Sequence, residues 1–418
     1  MTRPPKPALR HQRADALIGD RPAAAEAGEV DRAQYEVQEC AAPRPVTGLS
    51  EAPDVLLRPG PVPALAGQRQ RAAADTAFGE VFADHMVTAR WTVADGWHDA
   101  ALEPFAPLEL SPAAVGLHYG QSVFEGFKAY HRTPDRAAVF RPTAHARRLA
   151  ASARRMALPE IPSGLFVAAT EALVRQDMDW IPEGDDRSLY LRPVLFASEA
   201  HLALRPARAC LFVLLAFPTG NFFGAGGRAV TVAASEEYVR AAPGGTGAAK
   251  CGGNYAGAYL AQGAAAKRGA DQVVWLDAVE RRWVEELGGM NLFFVYGEGD
   301  SAELRTPPLT GTILPGVTRD TLITLARDLG LRVTEAHMAL DRWREDCVAG
   351  RITEVFACGT AARVTSVGRV LGADGPWTIG DGLPGPVAGR LSVELAAIHR
   401  GEAADPYGWC HLVDRGTR

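Results

Sequence analysis

Gly244-Gly245-Thr246-Gly247-Ala248-Ala249-Lys250-Cys251-Gly252-Gly253-Asn254-Tyr255 is the stretch on which the reading of this chain turns. The 418-residue sequence holds 44 basic residues, of which only Lys6, Lys128, Lys250 and Lys267 are lysines. Arginine is the default cation here, so a lysine at a special position calls for a reason. Lys250 is also the only charged residue between Arg240 and Lys267, set among Ala, Gly, Thr, Asn and Tyr. Small neighbours let a flat molecule approach the backbone. Removal from water favours the uncharged amine, whose lone pair attacks a carbonyl, a reaction closed to arginine. The chemistry implied is a Schiff-base lysine. A surface lysine in a Gly-rich loop is the bland competitor. A phosphate-cradling G-x-x-x-x-G-K-[ST] loop is a second, and it fails on Ala249 before the lysine and Cys251 after it.

Working outward, length and 47% hydrophobic content allow two domains with proper cores. A net charge of −5 describes an ordinary globular protein, with no basic patch for nucleic acid and no membrane-length apolar run. Cys40, Cys210, Cys251, Cys347, Cys358 and Cys410 form no C-x-x-C pair, and no metal-ligand spacing or H-E-x-x-H occurs. Reduced thiols in a cytoplasm are expected, and no metal. Residues 1–77 are rich in Ala, Arg and Pro, so a disordered N-terminal extension is expected. Its scattered acids argue against a transit peptide.

From Phe78 the composition turns globular, and 78–220 reads as a small N-terminal domain. His118–Tyr130 mixes aromatics and glycines, a pattern of core packing and of ligand pockets alike. Residues 144–158 have Leu149, Ala153 and Met156 at helical spacing, with Arg147, Arg148, Arg154 and Arg155 at the other positions. One such arginine can turn inward to grip an anion. A second helix covers 165–178. Arg192 is embedded in the strand-like 188–196, which implies an acidic partner or a substrate carboxylate. Residues 210–217 form a buried strand, and the Gly-rich break at 221–228 reads as an interdomain loop.

Residues 229–418 read as a large C-terminal domain in which strands and helices alternate. Strands are expected at 229–234, 271–277, 292–296 and 354–362, a helix at 255–268 and an acidic turn at 284–291. Pro315-Gly316-Val317-Thr318 opens a helix ended by Gly330; its N-terminus is a ready anion site or an ordinary turn. Pyridoxal phosphate would use all these parts. It needs a lysine for its aldehyde, donors for its phosphate and a carboxylate at its pyridine nitrogen. Lys250, an arginine with a helix N-terminus, and Glu286 or Glu285 would supply them.

With those residues in hand, the sequence resembles the branched-chain amino acid aminotransferases, class IV pyridoxal-phosphate enzymes of fold type IV. The motifs are LHYGQSVFEGFKAY (117–130), LYLRP (189–193), GGTGAAKCGGNYA (244–256), EELGGMN (285–291), ILPGVTRD (313–320) and EVFACGTAA (354–362). The resemblance runs from about Phe78 to Trp409 and implies a mixed α/β, two-domain, D-amino-acid-aminotransferase-like fold. It makes Lys250 the lysine that bonds the cofactor and moves the substrate's α-proton, and Glu286 the acid at the ring nitrogen. Tyr255 would bond the phenolic oxygen; Arg148, Val317, Thr318 and Thr360 would hold the phosphate. Phe82, Tyr119, Phe124, Tyr190, Phe222 and Gly289 would line the substrate pocket. Arg192 would take the distal carboxylate of glutamate or 2-oxoglutarate, and Thr360 and Ala361 the α-carboxylate. Leu204 would reach into a partner's pocket, so a homodimer is expected.

The implied activity is transamination between leucine, isoleucine or valine and 2-oxoglutarate. A methylene in an apolar pocket is worth only about 1–3 kcal/mol, so overlapping use of the three donors is expected. The sequence departs from the family pattern at Phe222, where a tyrosine is usual, at Asn221 and at His145, which replaces a common asparagine. Those departures keep open a specialised aminotransferase of a secondary-metabolite pathway. D-amino acid transamination, aminodeoxychorismate lysis and a non-catalytic cofactor-binding protein are further alternatives.

Overall fold

The computed structural model describes residues 55–57, 69, 78–184, 187–220 and 228–416. Asn221, Phe222 and all but the last residue of the expected interdomain loop lie outside the described residues, as does most of 1–77.

Two nine-stranded sheets organise the described chain. Across the first, the order is Leu56–Leu57, Gly96–Pro104, His85–Thr92, Ala209–Thr219, Ser188–Ala197, Phe127–Thr133, Arg136–Phe140 and Cys410–Asp414. Ser122–Phe124 pairs separately with Ser188–Ala197. Composition predicts no regular structure in 1–77, yet Leu56–Leu57 runs parallel to Ala101–Leu102 as an edge strand. The second sheet runs Val284–Leu287, Gln272–Leu276, Val230–Ser235, Arg363–Gly372, Ile352–Gly359, Asn291–Tyr296, Glu303–Thr306 and Arg332–Glu335, with Gly375–Thr378 on Arg363–Gly372.

The first sheet is covered by helices Pro142–Arg155 and Ser163–Gln176. The former starts on a proline at its first turn, where a missing N–H costs nothing. Its buried positions Ala146, Leu149 and Ala153 repeat at helical spacing, while Arg147, Arg154 and Arg155 stay exposed. Burying Leu149 contributes about 1.5–3 kcal/mol, and Leu149→Ala would cost about 2–5 kcal/mol with its cavity.

The structure corrects one local expectation. Residues 284–287 form a strand rather than a turn, antiparallel to Gln272–Leu276 with Trp275 opposite Glu286. The acidic pair is compatible with burial because each carboxylate finds donors: Thr312 for Glu285, and the Leu314 N–H for Glu286. The expected helix at 255–268 is two, Gly252–Ala256 and Tyr259–Lys267. Helix Val317–Asp328 begins after Gly316 as expected, and Gly330, at φ 81°, turns the chain behind it.

The Lys250 segment is stitched to the first sheet's layer. Its N–H donates to Ser152 Oγ on helix Pro142–Arg155 at 2.9 Å, and its carbonyl accepts from the Phe124 N–H at 3.0 Å. Asn254 holds the Gly-rich loop from within, donating to the Thr246 and Ala249 carbonyls at 2.8 and 2.9 Å. The loop that looks loose in sequence is therefore pinned on both sides.

Candidate active site

A cavity of about 390 Å³ opens at Lys250. Lys250 Nζ lies 2.7 Å from Tyr255 Oη, five positions along the chain, because a short helix begins directly after Cys251. Phe124 closes one side, its ring centroid 4.9 Å from Nζ and 4.8 Å from the Tyr255 ring. Gly289 borders Tyr255 so closely that a Cβ there would sit 3.4 Å from the phenol oxygen.

Glu286 is 1% exposed and does not itself line this cavity, though its neighbours Leu314 and Arg240 do. Its Oε1 accepts the Leu314 N–H at 2.5 Å, and Leu314 itself lines the cavity. Arg240 Nε approaches Oε2 at 3.3 Å, but in poor alignment, since Nε makes no hydrogen bond. Burial pushes the Glu286 carboxyl up, and Arg240, the Leu314 N–H and Lys250 only partly oppose it. Glu285 points to Thr312, which donates to its Oε1. Lys250 is among the leading influences on the titration of Glu286, whereas those on Glu285 are burial, Thr312, Arg240, Asp277 and His337. Of the two acids left open by the residues alone, Glu286 is the one on the lysine's side.

Arg148 turns inward from its helix, where its guanidinium meets a carboxylate of this chain. Both Glu125 oxygens hold it, Nε to Oε1 at 2.6 Å and Nη2 to Oε2 at 2.7 Å. His145 Nδ1 lies 2.9 Å from Oε2, and the Gly126 N–H donates to the same oxygen at 3.1 Å. Arg148 Nη1 is left to reach the Pro315 carbonyl at 3.1 Å, just ahead of helix Val317–Asp328. The first N–H groups of any helix lack partners within it, and Val317, Thr318 and Thr360 line the cavity beside Arg148. Gly316 permits this approach; a Cβ there would fall 2.0 Å from Asn291 Oδ1.

Arg192 and Tyr190 form the opposite wall. The Arg192 guanidinium lies 5.0 Å from the Phe124 centroid and 5.4 Å from that of Tyr190, and its Nε is buried without a hydrogen-bond partner. No described carboxylate pairs with it, which leaves the second sequence expectation, a ligand's carboxylate. A Cβ on Gly126 would fall 1.8 Å from Tyr190 Oη, so glycine alone leaves that phenol in place. Ala361 also lines the cavity, and its carbonyl accepts from Lys128 Nζ at 3.1 Å.

Two residues expected to line the substrate pocket, Phe82 and Tyr119, do not line this cavity, and Leu204, expected in a partner's pocket, is exposed. Phe82 stacks on Phe105 with centroids 4.8 Å apart. Tyr119 is 50% exposed, its hydroxyl donating to the Leu202 carbonyl at 3.0 Å, and Leu204 is 88% exposed. Sequence reasoning missed Phe78, which lines the cavity and packs edge-on to Tyr190 at 4.9 Å. It also missed Glu125 as the clamp on Arg148, and Arg240 beside Glu286. Glu125 stood inside a quoted motif, and a glutamate amid aromatics was the available signal.

The described residues contain no group of His, Cys, Asp or Glu able to hold a metal, and no helix long and apolar enough to cross a membrane. With a half-buried lysine facing a tyrosine and an arginine beside a helix N-terminus in place, the chain matches a family model described as amino-transferase class IV over residues 122–370 and belongs to that family. Among individual relatives, it is 50% identical over 362 residues to a probable branched-chain-amino-acid aminotransferase of Streptomyces coelicolor, covering 86% of this chain and 99% of the relative. It is 51% identical to the branched-chain-amino-acid aminotransferase of Mycolicibacterium smegmatis, over 83% of this chain and 95% of the relative. The solved Escherichia coli branched-chain amino acid aminotransferase superposes with a TM-score of 0.62 at 30% identity, covering 78% of this chain and 98% of that one. The branched-chain aminotransferase of the thermophilic archaeon Thermoproteus uzoniensis, solved with norvaline, gives 0.64 at 27% identity over 78% and 99%.

Proposed function

We propose that the protein is a branched-chain amino acid aminotransferase that uses pyridoxal phosphate to move the amino group of leucine, isoleucine or valine to 2-oxoglutarate. The observation that carries this reading is Lys250 Nζ facing Tyr255 Oη at 2.7 Å in a cavity lined by Leu314, whose N–H is held by the buried Glu286. The donor set fits the cofactor: a lysine for its aldehyde, Glu286 for its ring nitrogen, and Arg148, Thr360 and the Val317–Thr318 backbone for its phosphate. When bound, the cofactor supplies an aldehyde for the amino group and a cationic ring that draws electrons from the substrate's α-carbon.

Each residue then has a task. Lys250 Nζ moves the α-proton, and Tyr255 Oη steers that amine. Glu286 keeps a proton on the ring nitrogen by acting as the carboxylate, a form that Arg240 and the Leu314 N–H support against the upward push of burial. Phe124, Tyr190 and Phe78 enclose an aliphatic side chain and exclude water. Arg192 accepts the distal carboxylate of glutamate, for which a guanidinium without a carboxylate partner is suited. Thr360 and Ala361 face the α-carboxylate.

A homodimer belongs to the same reading. Leu117, Tyr119, Leu202 and Leu204 are exposed apolar or aromatic residues on two neighbouring segments. Glu199 stiffens the loop that carries the leucines, accepting from Arg205 at 2.7 and 3.0 Å and from the Arg208 N–H at 2.6 Å. The Arg205 bond brings the Glu199 carboxyl down to about 2. A rigid apolar loop of this kind suits insertion into a second copy. The division into 78–220 and 229–418 is supported by the two sheets, which draw their strands from either side of the linker except for Cys410–Asp414. A reducing, cytoplasmic setting is supported by five described cysteines that are free thiols.

The test is optical and chemical. Purified protein loaded with pyridoxal phosphate is expected to be yellow, to bleach with leucine and to form glutamate from 2-oxoglutarate. Borohydride is expected to fix the cofactor on Lys250. Colour that no amino acid bleaches, or an adduct on another lysine, overturns the reading.

A further inference from the structure

Helix Pro142–Arg155 meets the candidate site along one face. Arg148, Ser152 and Arg155 follow one another at intervals of four and three residues, which sets them one above another on a helix. Arg148 lines the cavity beside the expected phosphate site. The other two reach the segment that carries Lys250. Arg155 donates from Nε to the Gly245 carbonyl at 3.2 Å and from Nη2 to the Gly244 carbonyl at 3.0 Å. Ser152 Oγ accepts the Lys250 N–H itself at 2.9 Å.

Ser152 is the residue that asks for a reason. Its helix is otherwise built on Ala144, Ala146, Ala150, Ala151 and Ala153, the best helix former. A serine hydroxyl competes for backbone partners and gains a helix interior nothing. This one is 1% exposed, so solvation does not explain it. Its visible work is to hold a backbone N–H 98 positions away in sequence.

The consequence is geometric. The Lys250 carbonyl is held by the Phe124 N–H at 3.0 Å, so both backbone polar groups of the lysine are taken from the first sheet's layer. Those two bonds fix the direction in which the side chain leaves the backbone. The amine ends a flexible four-carbon stem, and a small tilt at its root is magnified at Nζ. Tyr255 Oη, 2.7 Å from Nζ, belongs to the short helix that follows Cys251 and gives no tie to the phosphate side.

We infer that Ser152 is a positioning residue which, with Arg155, holds the Lys250 amine in register with a cofactor gripped through Arg148 from the same helix face. This rests on the function proposed above. Amine and phosphate grip are thereby referred to one rigid element, and a misplacement of about 1 Å costs up to about 100-fold in rate.

The first readout needs no cofactor. Amide hydrogen exchange is followed by mass spectrometry in cofactor-free, full-length wild type and Ser152→Ala. The peptide bearing Lys250 is expected to exchange about fivefold faster or more in the variant, with strand Ile352–Gly359 unchanged. The second readout is kinetic, on protein loaded with pyridoxal phosphate. In Ser152→Ala, kcat with leucine is expected to fall roughly tenfold, while KM and cofactor affinity change less than about twofold. Leucine deuterated at its α-carbon is expected to slow the variant at least as much as wild type, because α-proton transfer is the impaired step. Unchanged exchange, unchanged kcat, a smaller isotope effect, or a kcat loss matched by an equal loss of cofactor affinity overturns the inference. Should Ser152→Ala not fold, Arg155→Gln decides from an exposed position. It is expected to quicken exchange in the same peptide and to lower kcat about threefold; wild-type exchange or wild-type kcat overturns the inference. Wild type that leucine does not bleach fails at the level of function. Wild type that bleaches, with Ser152→Ala equally fast, leaves the function standing and removes only this role.

Discussion

Two carboxylates, one between strands of the first sheet and one on a strand of the second, are both buried and behave in opposite ways. Glu125 is 0% exposed and held well below the ordinary carboxylate range. Glu286 is 1% exposed and pushed above it. Burial acts in the same direction on both, so the difference lies in the partners. Glu125 takes two aligned bonds from Arg148, with His145 and the Gly126 N–H completing its shell. Glu286 has one N–H and an arginine at 3.3 Å that is out of alignment. Alignment outweighs proximity. A completed ion pair is scaffolding, whereas a carboxylate whose partners leave it incompletely bonded has an oxygen to offer a ligand's N–H.

The largest test of that contrast is Glu125→Ala. Removing one member of a buried pair leaves the Arg148 charge uncompensated and is expected to cost about 3–5 kcal/mol, read by denaturant unfolding. A loss below about 1 kcal/mol would mean the clamp is not structural. The pH dependence has a definite sign. Glu125 binds its proton more weakly folded than unfolded, so its contribution is complete above the ordinary value of 4.5 and drains as pH falls below it. Glu286 has the reverse sign, since protonation relieves its burial. Net acid lability of the wild type, softened in Glu125→Gln, is the expected outcome.

Next in size is Glu286→Gln. The amide keeps an acceptor for the Leu314 N–H, so folding should be nearly untouched, while kcat with leucine falls roughly 100-fold or more. A variant that unfolds instead, with kcat per folded molecule preserved, would place Glu286 with Glu125 as scaffolding.

Much of this was legible beforehand, and for identifiable reasons. Lys250 stood out because lysine is scarce and its neighbours are small. Leu149 and Ala153 marked a helix face, and Arg192 stood out as a charge in an apolar strand. What stayed hidden depends on pairing between distant segments. Cys410–Asp414 closes the first sheet against Arg136–Phe140, and no local pattern announces a partner so far along the chain. The 284–287 strand read as a turn because two adjacent acids suggest solvent, and only Thr312 and Leu314 make their burial tolerable. Arg240 looked like any other arginine upstream of the Gly-rich loop. Tyr119 was expected in a pocket that this chain by itself does not assemble around it, and Leu204 in the pocket of a partner.

Arg240 offers a test of intermediate size. It donates to the Gly247 and Thr312 carbonyls, which ties the lysine loop to the floor of the site, and it is the main cation opposing the burial of Glu286. Arg240→Gln is expected to raise the Glu286 proton affinity further and to lower kcat about tenfold, visible as an acid-limb shift in the pH–rate profile. An unchanged profile would show that the misaligned contact at 3.3 Å carries no electrostatic weight.

His145→Asn is expected to do least, and for that reason sharpens the comparison most finely. The imidazole is stacked on Phe127 at 5.2 Å and has its Nδ1 on Glu125 at 2.9 Å. Burial drives its proton affinity down; the Glu125 contact opposes that, and Arg148 and Lys250 reinforce it. A neutral ring donating Nδ1–H is what this balance favours, and an asparagine amide can offer the same single donor. Exchange of one neutral donor for another should change cofactor affinity by less than about threefold, with stability against acid unaltered. If His145→Asn instead weakens cofactor binding by about tenfold, or removes a titration near neutral pH, the ring was an imidazolium. Glu125 would then sit among two cations rather than one, and the arginine clamp would carry net positive charge.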